Sequence, residues 1–137
     1  TARLTNLVDV HELSVRLRCA DGPVSHTDHM DKKSLTALAR QQLKLAVGAS
    51  SGRSSQTVYG GHQRHLRQTV VALAEGNSLA EHDLNGESTV LVISGQLKLI
   101  SGEKSWKGSA GDLLVIPDAR HSVEAVEDVA FLLTVSV

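Results

Sequence analysis

The chain has 137 residues, of which 41% are hydrophobic, and fourteen Lys/Arg oppose fifteen Asp/Glu for a net charge of −1. That length suits one domain, able to bury about two-thirds of its unfolded surface, and the near-neutral balance leaves no electrostatic footprint for nucleic acid or an anionic membrane. Tyr59, Trp106 and Phe131 are the only aromatic residues, which argues against a stacking platform for bases.

In the first 30 residues, Leu13, Val15, Leu17 and Cys19 alternate with polar residues at a strand period, whereas Leu4 to Val8 reads as a helical turn. Asp21-Gly22-Pro23 breaks whatever precedes it. Cys19 is the sole cysteine, so no intrachain disulfide forms and a reducing compartment is expected. No apolar run reaches the roughly 18 residues of a membrane span, and the amino end shows no basic region followed by an apolar one. The expectation is a cytoplasmic protein with no membrane contact.

Residues 31 to 47 predict a helix. Asp31 or Ser34 caps its start, and Leu35, Leu38, Ala39, Gln42, Leu43 and Ala46 form one stripe opposite Lys32, Arg40 and Lys44. Gly48 closes it as a residue tolerant of positive φ, and the Ser- and Gly-rich stretch 49–55 reads as a linker. From Gln56 the period changes to two. Strands are expected near 56–60, 65–74, 78–82, 88–94, 96–100, 104–109, 112–116, 121–126 and 129–136, separated by breaks such as Gly60-Gly61, Gly76-Asn77 and Ser101-Gly102. This gives an all-β antiparallel barrel or sandwich over 56–137, preceded by a helical extension over 1–55. Val90–Ile93, Leu113–Ile116 and Phe131–Leu133 are apolar on both faces. Their second face needs another sheet, the helix or a second subunit, so a homodimer is expected.

Two segments carry most of the chemistry. The first runs from Gly76 through His82 to Asn85-Gly86-Glu87 and on to Val90-Leu91-Val92-Ile93-Ser94-Gly95. The second is Ala110-Gly111-Asp112-Leu113-Leu114-Val115-Ile116-Pro117-Asp118-Ala119-Arg120-His121. Together they resemble the two motifs of the small single-domain cupins, and the resemblance covers residues 56 to 137. It implies an antiparallel jelly-roll barrel and, in that family, a divalent metal held by three histidines and a glutamate. Here Gly76, His82 and Gly95 match the first motif, and Gly111, Pro117 and His121 match the second, one residue short between proline and histidine. Leu84 stands where the family has a second histidine, and Ser88 where it has the glutamate, with Glu87 beside it. Ala119 and Ala125 replace the second motif's inner glycine and final asparagine.

Two of the four usual ligands therefore remain, and a divalent metal takes about four in a tetrahedral site or six in an octahedral one. Further ligands would have to come from His62, His65 or, across a bulge at Gly86, from Glu87. A third imidazole would give a facial set suited to Zn or Fe, with Mn and Ni as other candidates. A purely structural reading stands beside it, with His82 and His121 hydrogen-bonded to each other, to water or to backbone.

Three functions compete. One is a binding module whose pocket is lined by Leu84, Val92, Leu97 and Leu99, with His82 and His121 as polar points for a small, mostly apolar ligand. The second is a metal-dependent enzyme of the cupin oxygenase or isomerase type, with a metal-bound water doing acid–base or nucleophilic work. The third, a sensor with a DNA-contacting extension, is opposed by the single helix and absent basic stripe.

Other features have ordinary explanations. The ligand-rich run His26 to Asp31 suits capping and loop solvation. Glu81 and Glu87 need proximity before they act as an acid–base pair. Arg120 can orient an anion through its planar fork or face outward, and Trp106 suits packing or a subunit contact.

Overall fold

The computed structural model describes residues 30–82, 86–116 and 120–137, with residues 80–82 described by their backbone. The chain divides between Lys32 and Lys33, and the fold below is that of the unit Lys33–Val137. The expectations for residues 1–29, for Leu84 and for Pro117 to Ala119 fall outside the described residues.

The single described helix is α1, Leu35–Gly48. Ser34 caps it, its Oγ accepting from the Ala37 N–H at 3.2 Å, which satisfies one of the donors that every helix start leaves without a partner. Of the predicted stripe, Ala39, Gln42 and Ala46 are buried, and Leu43 packs beside them. One expectation is corrected here. Gly48 does end the helix, but the positive φ belongs to Gly52 at +70°, in the turn that follows. A Cβ on Gly52 would lie 2.3 Å from the Asn77 side chain, so both backbone and space call for glycine there.

The strands are β1 Arg53–Tyr59, β2 Leu66–Leu73, β3 Ser78–His82, β4 Ser88–Ser94, β5 Gln96–Ser101, β6 Lys104–Ser109, β7 Leu113–Val115, β8 His121–Ala125 and β9 Val129–Ser136. They follow the expected segments closely, and the linker shrinks because β1 already begins at Arg53. All pairings are antiparallel, in a five-stranded sheet ordered β1-β2-β9-β4-β7 and a four-stranded sheet ordered β3-β8-β5-β6. The two sheets do not join into one continuous wall; they face each other as a jelly roll.

Register explains the core. Val71 pairs with Phe131, and Phe131 with Val92, so these three share the inner face of the five-stranded sheet. On the other sheet Leu97 pairs with Ala125 and Leu99 with Val123. These residues form one buried cluster with Leu73, Val90, Ile116 and Val129, where each large side chain contributes roughly 1.5–3 kcal/mol. Gly108 on β6 is buried where a Cβ would come within 2.7 Å of Leu114, so the glycine lets the sheets approach.

The outer face of the five-stranded sheet is covered by α1. Ala39 and Ala46 pack on Ala72 and Ala130, with Leu43 and Ile93 alongside; small residues on both sides bring helix and sheet close. Buried Gln42 keeps its amide satisfied, donating to Gln56 Oε1 at 3.2 Å and accepting from Ser54 Oγ. Burying an amide without such partners costs several kcal/mol. The helix thus answers part of the question of what covers the doubly apolar strands. Leu113 and Val115 on edge strand β7 remain 61% and 75% exposed.

Candidate functional site

The two ends of the jelly roll differ, and the register shows how. At one end β2 runs into β3 through residues 74–77, and the Gly76 N–H donates to the Ala125 carbonyl at 3.0 Å while the Ala125 N–H donates to the Asn77 carbonyl at 2.9 Å. Leu73, Val129, Leu97 and Ala125 fill that end. At the other end lie the start of β2, the start of β4 and the end of β9, since Arg67 pairs with Val135 and Val135 with Ser88. The end of β3, the start of β8 and the end of β7 lie there too. This end holds the paired strand positions of His82 and His121, together with Ser88 and Glu87.

His82 and His121 are direct partners across β3 and β8. From Leu79 paired with Val123, unbroken register would put Glu81 opposite His121; a shift between Leu79 and His82 brings the histidine there instead. Bulges of this kind re-aim residues and are common beside sites. His121 is 2% exposed, and it alternates inward with Val123 and Ala125 along β8. Nearby, Ser101 Oγ donates to the Arg120 carbonyl at 3.0 Å, tying the loop before His121 to β5. Arg120 itself is exposed.

Ser88, at the family's glutamate position, is buried on the inner face opposite Val135. Glu87 is exposed and, with Gly86, Ser88, Thr89, Val115 and Ile116, lines a cleft of about 520 Å³ at the open end. Gly86 has φ +132°, and a Cβ on it would sit 2.1 Å from the Ser136 carbonyl oxygen; the chain passes against β9 there only because a side chain is missing. A second cleft of about 370 Å³ runs along Arg53, Ser54, Ser55, Thr69, Val71, Leu79 and Leu133 between the sheets.

Val92, Leu97 and Leu99 are fully buried in the core cluster and line none of the described clefts. The aliphatic residues that do are Val71, Leu79, Leu133 and Ile116. Strand alternation shows which residues point inward, but not how deep along the barrel each one lies.

His65 is exposed, with Nδ1 3.1 Å from the Val137 carbonyl oxygen, and the Val137 N–H donates to the His65 carbonyl at 2.8 Å. His62 lines a third cleft, beside Arg67, where a guanidinium repels a cation. Neither joins His121: among the described residues no three His, Cys, Asp or Glu side chains come together as a metal group. With an alcohol at Ser88 and an exposed Glu87, the described donors do not fit the family's metal cage. Trp106 sits 42% exposed on edge strand β6, and Arg64 lies 5.9 Å over the Tyr59 ring. Sequence reasoning did not single out Thr57, Arg67 and Thr69, which line this third cleft; they fall in a stretch from Lys32 to Ala74 that contains seven Lys/Arg and no Asp/Glu.

Comparison of the structure with solved proteins returns jelly rolls of one kind. A conserved protein of unknown function from Streptococcus pyogenes superposes with a TM-score of 0.62 at 22% identity, over 79% of this chain and 88% of that one. An RmlC-like cupin protein from Desulfovibrio desulfuricans gives 0.60 at 22% identity, over 79% and 97%. A cupin superfamily protein from Desulfitobacterium hafniense gives 0.57 at 15% identity, over 62% and 77%. The fold is that of the cupins. At these identities the likeness reaches the cupin architecture and no further, because fold does not fix chemistry. No protein-family model matches the sequence, and no curated protein matches it. No helix among the described residues is long and apolar enough to cross a membrane.

Proposed function

We propose that this cupin-fold chain binds a small organic molecule at the open end of its jelly roll, with His82 and His121 as polar points and Val71, Leu79, Leu133 and Ile116 as apolar wall. The observation that carries this reading is the register shift in β3, which makes His82 the cross-strand partner of a buried His121. A fold needing only packing there has no use for two histidines in cross-strand register. Clefts with a few convergent polar groups in an apolar surround are the usual form of small-molecule sites.

The test is a His121→Ala variant, with His82→Ala and the double variant beside it, screened against a small-molecule library by thermal shift. Ligands that raise the melting temperature of the parent chain should lose that effect in the variants. Equal stabilisation of parent and double variant would end the reading. Elemental analysis of protein purified without a histidine tag tests the metal-enzyme alternative: the donor set leads us to expect no stoichiometric metal. A stoichiometric metal that vanishes in the double variant would favour the enzyme instead.

The reading includes a homodimer. Leu113 and Val115 form an apolar strip on an edge strand, and natural proteins rarely leave such an edge bare. Light scattering on Val115→Lys should show a smaller particle than the parent; an unchanged monomeric mass for both would remove the dimer.

A further inference from the structure

The cleft beside Arg67 is not explained by the histidine pair. It measures about 290 Å³ and is lined by Thr57, Gly60, Gly61, His62, Arg67 and Thr69, with no carboxylate among them. We infer that this cleft holds the carboxylate of the ligand, so that the molecule entering the open end is a small organic acid with an apolar tail. The inference rests on the small-molecule reading above and names its ligand class.

Four observations converge. First, the side chains of Arg67 and His62 make no hydrogen bond or ion pair among the described residues, so the guanidinium's planar fork is available to a carboxylate. Second, the segment that carries the cleft holds no acidic residue: from Lys32 to Ala74 there is no Asp or Glu. Nothing in that stretch competes with an incoming anion.

Third, the backbone is shaped around the arginine. Gly60 and Gly61 have φ of +139° and +156°, and a Cβ on Gly60 would come within 3.2 Å of Arg67 Cγ. A register shift between Thr57 and Tyr59 in β1 adds a residue just where the strand meets the cleft, the usual place for a bulge beside a site. Fourth, Thr69 lines both this cleft and a second one, where Val71, Leu79 and Leu133 stand beside Arg53, Ser54 and Ser55. Arg67, Thr69 and Val71 alternate along one face of β2, so head group and tail would lie along a single strand. Two threonine hydroxyls and one fork match the two oxygens of a carboxylate. Inorganic phosphate has no tail to use the apolar residues.

The experiment is titration of the 15N-labelled full chain with hexanoate, hexanol and inorganic phosphate, followed by amide shifts. Hexanoate should shift Gly60, Gly61 and Thr69 together with Val71, Leu79 and Leu133, while hexanol should shift the apolar group alone. Arg67→Gln should weaken hexanoate about ten- to a hundredfold, the range for a hydrogen bond to a charged group, and leave hexanol unchanged. Arg67→Lys, which keeps the charge without the fork, should fall between them. A spectrum unchanged away from β2 shows that each variant is folded. Equal hexanoate binding by parent and Arg67→Gln overturns the inference. Phosphate alone reproducing the shifts makes the cleft a phosphate site and overturns the carboxylate assignment. Shifts confined to residues around Ile116 and His121 sink the acid-binding cleft but leave the small-molecule reading standing, whereas no shift at any open-end residue counts against both.

Discussion

The end of the jelly roll around Leu97 and the end around His121 are built from the same strands, yet they obey different rules. At the first, Leu73, Leu97, Ala125 and Val129 interlock with almost no exposure, and tight turns knit the backbone. The Glu75 N–H donates to Asp128 Oδ1 at 2.8 Å, and the Val126 N–H donates to the Gln96 carbonyl at 3.0 Å. At the second, two clefts open among hydroxyl, imidazole, guanidinium and carboxylate groups. On the proposed function the molecule keeps its stability and its binding at opposite ends, so a substitution at one should leave the other largely untouched.

The strongest way to break that division is in the core. Leu97→Ala should cost about 2–5 kcal/mol in urea unfolding, whereas Ile116→Ala, beside an existing cleft, should cost distinctly less because the void opens to water. Equal costs would erase the distinction between the ends. Glycines sharpen it next. Gly95 and Gly76 have similar φ, +81° and +84°, but a Cβ on Gly95 would lie 2.0 Å from the Asp128 carbonyl oxygen and one on Gly76 meets nothing within 4 Å. Gly76→Ala should therefore cost about 1–2 kcal/mol from backbone strain alone, and Gly95→Ala clearly more, as read by thermal unfolding. Removing the Asp128 acceptor with Asp128→Ala should cost about 1 kcal/mol.

The smallest stability change is expected at the open end. His121→Ala should cost less than Leu97→Ala in urea unfolding while removing ligand-induced stabilisation. If it instead destabilises as strongly as Leu97→Ala and leaves binding alone, His121 is a core histidine and the site lies elsewhere.

The strands were legible because alternation and glycine breaks report local geometry directly. The α1 stripe, Ser34 and the positions of His82 and His121 within their strands could likewise be read from spacing. Three things could not. The positive φ after α1 moved from Gly48 to Gly52, because the Asn77 side chain, distant in sequence, sets the turn. Val92, Leu97 and Leu99 were read as pocket wall because period two gives the inward face, but depth along the axis depends on the register of both sheets. Arg67 drew no attention because its place beside Gly60-Gly61 and the β1 bulge depends on how β1 pairs with β2.

The pairing of β9 has a consequence for how the chain is made. This strand sits between β2 and β4, with Leu66 opposite Ser136 and Leu73 opposite Val129. Segments some sixty residues upstream thus wait on a ribosome for residues 129–136 before the larger sheet can close. Such long-range closure is slow and leaves apolar strand edges uncovered in the meantime. During synthesis, nascent-chain chaperones would meet β2 and β4 as separate sticky ribbons.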